Sequence, residues 1–512
     1  MKGTQGLSLS LWFLFLLCLH VHIDHVVGDN STKLKIARSS FPKGFVFGAG
    51  TSAYQVEGAV SEGGRGPSIW DTFAHIPGKI IDNSTGEVAV DQYHRYKEDV
   101  QHLKYVGLDS YRFSISWSRI FPKGSPRHGE VNEEGIAYYN NLINELINNG
   151  IKPFATLYHW DMPQALEDEY GGFRNARVVE DFTAFANVCF LAFGDRIKSW
   201  LTINEPLIHS TFGYDTGFHA PGRCSPPFGE CPAGNSSTEP YIVAHNLLLA
   251  HSAAVKLYRS TYQAKQKGSI GIALVATWME PFSKSLADRR AAQRAIEFRM
   301  GWFLDPLTKG EYPKIMRALV GARLPVFTRQ QAQDLKGSFD FLGYNYYTAE
   351  FARDNPIPPD PFNSDFFLDA RANVSQEFNG VSLGKPEGLD LFWSYPPGLE
   401  KVLRYTKLRY NNPPIYITET GYAGLDNGTT PLRQALNDSN AVIYHRQHLS
   451  KVLQLIRDGA DIRGYLVWSL LDNFEWTFGN TGRFGLYYVN YNDGLKRYPR
   501  LSARWFKSIL QN

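Results

Sequence analysis

With 512 residues, 43% of them hydrophobic and 14% aromatic, the chain has ample material for a large core. Its net charge is only +3, which removes the electrostatic case for a nucleic-acid or anionic-membrane partner. The length alone suggests about three domains, but α/β barrels reach this size as a single unit.

The N-terminus reads as a cleaved secretory leader over residues 1–28. Lys2 supplies the positive end, Leu7 to Leu19 an apolar run too short to span a bilayer comfortably, and Val26-Val27-Gly28 the small residues before a cut. His20, His22 and Asp24 interrupt the run and argue against a retained anchor. The catalytic portion is then 29–512, with no membrane attachment after cleavage. Six Asn-x-Ser/Thr sequons, at Asn30, Asn83, Asn235, Asn373, Asn427 and Asn437, agree with a secretory route. Cys224 and Cys231 bracket a Pro/Gly-rich loop and suit a short disulfide staple; a zinc pair there would lack two ligands. Cys189, in an amphipathic helical pattern, is expected as a buried free thiol.

Further along, Phe45 to Ala53 is a strand ending in glycines. It is a weak match to a dinucleotide fingerprint, and the loop expected after it, Tyr54-Gln55-Val56-Glu57-Gly58 and then Gly63-Gly64-Arg65-Gly66-Pro67, excludes that reading. Seven more apolar runs follow: Ser110 to Trp117, Lys152 to Trp160, Trp200 to Glu205, Ser269 to Trp278, Asp340 to Thr348, Pro414 to Glu419 and Ile462 to Leu471. Helical patterns lie between them, including Asp91 to Val106, Glu133 to Asn149, Asp181 to Phe193, Tyr241 to Lys265 and Asn440 to Asp458. Eight alternating strand–helix units predict a single (β/α)8 TIM barrel with long βα loops; the alternative is a doubly wound open sheet.

The strand ends decide between them. Gln55, His159-Trp160, Asn204-Glu205, Asn345 with Tyr347, Glu419, and Trp468 with Glu475-Trp476 all follow apolar runs. A carboxylate gains nothing from an apolar strand, and burying it without partners costs several kcal/mol. Any one of these residues has an ordinary structural explanation, but their convergence at one barrel face points to a site. Two carboxylates at strand tips, Glu205 and Glu419, are what glycoside hydrolysis requires. His445-x-x-His448 lacks a third ligand and is expected to be a surface pair, so no metal is called. No nucleophile elbow or P-loop occurs, and no cofactor is expected.

Several motifs together resemble glycoside hydrolase family one, in its secreted plant branch. They are Thr202-Ile203-Asn204-Glu205-Pro206, Ile417-Thr418-Glu419-x-Gly421, Tyr111-Arg112-Phe113-Ser114-Ile115-Ser116-Trp117, Asn345-Tyr346-Tyr347 and Phe474-Glu475-Trp476. The resemblance implies a retaining β-glucosidase acting on a small glycoside, located outside the cell, in the wall, or in the vacuole. By resemblance Glu419 is the nucleophile, Glu205 the acid/base, and Arg112 the cation beside the nucleophile. Gln55, His159, Asn204, Asn345, Glu475, Trp468 and Trp476 would hold the sugar. Tyr347 would donate to the nucleophile, Trp393 would flank the aglycone, and Glu475 would repel a 6-phosphate.

A retaining mechanism needs the two carboxyls about 5–5.5 Å apart. The same residues would serve a transglucosidase that passes the sugar to a phenolic or other acceptor. An inactive sugar-binding homologue would have lost a carboxylate, and a thioglucosidase would carry Gln at the acid/base; neither fits Glu205 and Glu419. One departure from the family pattern is Thr420, where Asn is usual, and it is expected to alter the surroundings of Glu419.

Overall fold

The computed structural model describes residues 36–357, 360 and 363–511. The leader and Asn30 lie outside the described residues. Eight parallel strands close into a barrel in sequential order: β1 (Val46–Gly50), β2 (Ser110–Ser114), β3 (Lys152–Tyr158), β4 (Ser199–Asn204), β5 (Ser269–Val275), β6 (Phe341–Asn345), β7 (Ile415–Glu419) and β8 (Ile462–Trp468), with β8 pairing back to β1. Each lies within one of the eight apolar runs, except that β4 starts one residue before its run. The barrel excludes the open-sheet alternative, and no described helix is long and apolar enough to cross a membrane.

The helices bury the stripe their periodicity predicts. In Val178–Phe193, residues Val178, Phe182, Phe185, Cys189 and Phe193 are all buried. This stripe encloses the free thiol of Cys189. The helical pattern from Tyr241 is Glu239–Leu257, continued through a π-helical turn, Tyr258–Tyr262, to Gln266.

Aromatic rings close the barrel at its N-terminal end. Phe154, Phe341 and Tyr416, each near the start of its strand, meet edge to face with centroids 5.2–5.8 Å apart. Leu201, Ala273 and Leu466 complete this cluster. The lower barrel is therefore packed solid, and polar groups have room only at the C-terminal ends.

Two elements depart from the sequence reading. A single helical turn, Ala53–Val56, follows β1 where loop was expected; it buries Gln55 directly over the barrel mouth. His445 and His448 are not a surface pair. Both are buried, with His445 Nδ1 2.9 Å from the Tyr465 hydroxyl and His448 Nδ1 2.8 Å from the Tyr444 carbonyl. Burial pushes them down to about 3 and about 4, so both rings are neutral. Their helix, Ser439–Arg457, turns this face inward, and the pair spacing alone does not reveal which face that is. Thr420, next to Glu419, is buried with its hydroxyl 3.0 Å from that of Tyr444.

The Cys224–Cys231 disulfide is formed, and the five described sequon asparagines are exposed.

Just past β7 the chain passes so close to β8 that only glycine fits. A Cβ on Gly421 would lie 1.9 Å from the Trp468 carbonyl oxygen. Gly421→Ala is therefore expected to lower stability by about 1–3 kcal/mol, as overpacking does. Urea unfolding of both proteins measures this, and equal midpoints would contradict the packing argument.

Candidate active site

Arg112 rises from β2 with no exposed surface. A buried guanidinium must spend its N–H groups on partners, and this one does. Nε donates to Thr156 Oγ1 at 3.1 Å and Nη2 to Asn204 Oδ1 at 2.7 Å; Nη1 donates to the Thr418 carbonyl at 3.3 Å and to Glu419 Oε1. The other oxygen of Glu419 accepts from the Tyr347 hydroxyl at 2.9 Å.

Glu205 sits at the end of β4 in a left-handed conformation, φ +44°, uncommon for a residue with a Cβ, and opens the helix Pro206–Tyr214. It is 7% exposed. Among the described residues its one direct side-chain partner is neutral: Asn345 Nδ2 donates to Glu205 Oε1 at 2.9 Å. Asn345 is oriented by Thr418, whose hydroxyl donates to its Oδ1 at 2.7 Å.

These partners set the protonation states. Burial raises both carboxyls above the ordinary range. For Glu419 the Arg112 guanidinium and the Tyr347 hydroxyl oppose that rise. For Glu205 the negative charge of Glu419 adds to it, taking Glu205 to about 8. With one cation in direct contact with one carboxylate only, the proton of the pair resides on Glu205.

The polar groups around them are equally constrained. Asn204 Oδ1 accepts from both Arg112 and Asn345, so its Nδ2 must face His159 Nε2, 3.0 Å away. Burial keeps His159 neutral, so Nε2 accepts and the ring proton lies on Nδ1, which has no partner among the described residues. Gln55 accepts from Ser52 at 2.6 Å and donates to Asn473 at 3.0 Å, with Glu475 Oε2 3.4 Å away. Burial raises Glu475 to about 8. Trp468 and Trp476 lie nearly parallel to the His159 ring at 5.7 and 5.9 Å, and Trp160 packs on Trp476 at 4.7 Å.

Glu205, Asn345, Tyr347, Glu419, Trp468 and Glu475 line one cavity of about 200 Å³ together with His159 and Trp476. Leu207, Ile208, Phe212, Phe218, Leu391 and Phe392 supply an apolar share of the remaining lining, beside the polar Thr277, Arg299, Thr348, Glu350 and Gln376. Phe218 and Leu391 are 38% and 41% exposed and mark the mouth. Gln55, Asn204 and Arg112 are buried beside this lining, Gln55 next to Glu475, Asn204 bonded to His159 and Asn345, and Arg112 to Glu419.

Trp393 does not line the cavity, contrary to expectation. It pairs with Pro386 in a short hairpin, and its neighbours Leu391 and Phe392 face inward instead. A loop of this composition signals aromatics but not which one turns in. Sequence reasoning also passed over Asn473, which fixes Gln55, and the pair Arg299 and Glu350, which lines the outer cavity.

Comparison with known proteins agrees with this geometry. The family model described as glycosyl hydrolase family 1 matches residues 37–512. Beta-glucosidase 12 of Oryza sativa subsp. indica is 54% identical over 477 residues, 93% of each chain. The furostanol glycoside 26-O-beta-glucosidase of Hellenia speciosa is 54% identical over 481 residues, covering 94% of this chain and 84% of that one. A variant of the rice Os3BGlu6 β-glucosidase, solved in covalent complex with glucose from GA4GE, superposes with a TM-score of 0.92 at 49% identity, over 93% of this chain and all of that one. On a match of this extent and a closed barrel of this order, the chain belongs to glycosyl hydrolase family 1.

Proposed function

We propose that this chain is a retaining β-glucosidase that releases glucose from neutral glucosides, with Glu419 as nucleophile and Glu205 as acid/base. The observation that carries the reading is the unequal treatment of two buried carboxyls: one is bonded to a guanidinium, the other only to an amide. Relatives named as β-glucosidases support the glucoside class, and the rice variant's covalent glucose supports a double displacement.

In the first step ionised Glu419 attacks the anomeric carbon. Glu205 gives its proton to the glycosidic oxygen as that bond breaks, and the aglycone leaves as an alcohol. Esterification removes the charge of Glu419, so the ionised form of Glu205 loses its repelling neighbour. Glu205 then takes a proton from water, the hydroxide adds to the anomeric carbon, and the ester bond to Glu419 breaks. Arg112 holds Glu419 ionised and at a fixed angle, and Tyr347 donates to its other oxygen. Asn204, held by Arg112, offers its amide to the sugar 2-hydroxyl; His159 Nδ1–H and Glu475 read further hydroxyls.

The apolar share of the lining would hold an alcohol acceptor as well as a leaving aglycone, so the glucosyl-enzyme has a second outlet in transfer. Thr420 bears on that balance indirectly. Its hydroxyl meets Tyr444, whose own hydroxyl lies 3.3 Å from the Tyr346 carbonyl, next to Tyr347. The exposed sequon asparagines agree with passage through the secretory route, as does the leader-like stretch before the barrel.

Glu419→Ala is expected to lower kcat by at least about 10⁴-fold, and azide should restore turnover as the α-glucosyl azide. Glu205→Ala should spare only substrates with good leaving groups, with azide yielding the β-product. Undiminished glucoside turnover in the first variant would overturn the assignment.

The pH profile follows from the signs above. Glu205 must start protonated and is raised to about 8, so kcat/KM for poor leaving groups should fall as pH rises through about 8. Glu205→Gln assayed on a dinitrophenyl glucoside should lose that alkaline limb. Persistence of the limb would assign it to another group.

Thr420→Asn should change the ratio of transfer product to free glucose with a phenolic acceptor. An unchanged ratio would show that the Tyr444 contact does not reach the site.

A further inference from the structure

Arg299 and Glu350 line the outer part of the active-site cavity, among apolar side chains. Arg299 belongs to a π-helical turn, Glu297–Gly301, inserted between the helices Leu286–Ile296 and Trp302–Lys309. Such turns shift the following side chains around the helix and recur at functional sites. Phe298, Met300 and Gly301 of this turn are buried, while Arg299 keeps a part-open face. Glu350 projects from the strand Ala349–Asp354, which begins four residues beyond β6. That strand pairs in parallel with Trp278–Pro281, and the two follow β6 and β5 beyond the C-terminal end of the barrel. The pair therefore stands outward of the carboxyls, where an aglycone leaves the sugar site.

Arg299 Nη2 lies 2.8 Å from Glu350 Oε2, and the side chains are 15% and 13% exposed. Among the described residues neither side chain has another ion pair or a hydrogen bond, and Glu350 Oε2 is buried without a well-aligned donor. Arg294, one turn earlier, is different. Its fork bonds Asp354 at 2.6 Å and the carbonyls of Ala370 and Arg371, tying its helix to the neighbouring sheet. The structural tie is thus already made by Arg294. Arg299 has N–H donors to spare, and the residue lines the cavity.

We propose that Arg299 and Glu350 form a specificity-determining polar reader for the aglycone, selecting neutral, apolar ring compounds that carry a hydroxyl on the edge away from the glycosidic bond. This rests on the glucosidase reading above and names its substrate class. A hydroxyl both accepts from Arg299 and donates to Glu350, so it completes both partners at once. An anionic aglycone gains Arg299 but meets Glu350 beside it and the charge of Glu419 deeper in the cavity. A second sugar would offer hydroxyls too, but it would set them against Leu207, Ile208, Phe212, Phe218, Leu391 and Phe392, walls that suit ring carbons better.

The test is a matched series of aryl β-glucosides: phenyl, 2-naphthyl and 4-biphenylyl, each with and without a distal hydroxyl. A carboxylate version of each length and cello-oligosaccharides complete the panel. At one length the hydroxyl should raise kcat/KM at least fivefold in the wild type, and Arg299→Met and Glu350→Leu should each bring that ratio to about one. Arg294→Met, which loosens the scaffold, should keep the ratio whatever it does to absolute rates. A merely structural role for Arg299 would depress both members of each pair equally and overturn the proposal. So would a hydroxyl ratio near one at every length, a carboxylate that outperforms the hydroxyl, or cello-oligosaccharides that outperform both. Failure of the underlying reading would look different: no turnover of any glucoside, the phenyl compound included.

Discussion

The geometry of the barrel mouth depends on one guanidinium. Arg112 reaches from β2 to Thr156 on β3, to Asn204 on β4, and to Thr418 and Glu419 on β7. A charge this deeply buried is tolerable only when its donors are occupied, so the bonds that make Arg112 affordable also fix the strand ends around it. Fold and site therefore share the same contacts. Loss of any one partner would leave a buried donor open and release a side chain on a neighbouring strand.

The same cation creates the asymmetry on which the proposed chemistry runs. Two like residues at two strand tips would compete for one proton on equal terms in a symmetric pocket. Arg112 contacts Glu419 directly and reaches Glu205 only through the amides of Asn204 and Asn345. The distinction between the two carboxyls is thus made by connectivity rather than by distance from solvent, since both are almost fully buried.

Much of this was legible in the sequence because the barrel repeats one rule. Eight apolar runs with polar tips imply both the closure and the face on which Glu205, Glu419, His159 and Asn345 meet. What stayed hidden depends on orientation about an axis that local pattern does not define. Trp393 and Phe392 are adjacent aromatics in a hairpin, and only the hairpin's twist brings Phe392 to the cavity. His445 and His448 share a helix face, but packing against Tyr465 of β8 and Tyr346 just past β6 decides that it is the inner one. Arg299 reads as an ordinary polar position at helical spacing, because a π-helical turn leaves no mark in a 3.6-residue pattern. Thr420 was visible as a departure; the direction of its hydroxyl was not.

The aromatic floor of the barrel has a kinetic consequence. With Phe154, Phe341 and Tyr416 meshed across the lower end, the cavity is a blind well whose rim lies near Phe218 and Leu391. Everything that enters or leaves must share this doorway. The sugar occupies the bottom and the leaving group sits above it, so departure runs in a fixed order, last in and first out. In the proposed double displacement, water reaches the glucosyl ester by the space the aglycone has vacated, and glucose escapes only after that space is clear. A bulky aglycone that lingers at the rim therefore acts as a stopper on its own reaction.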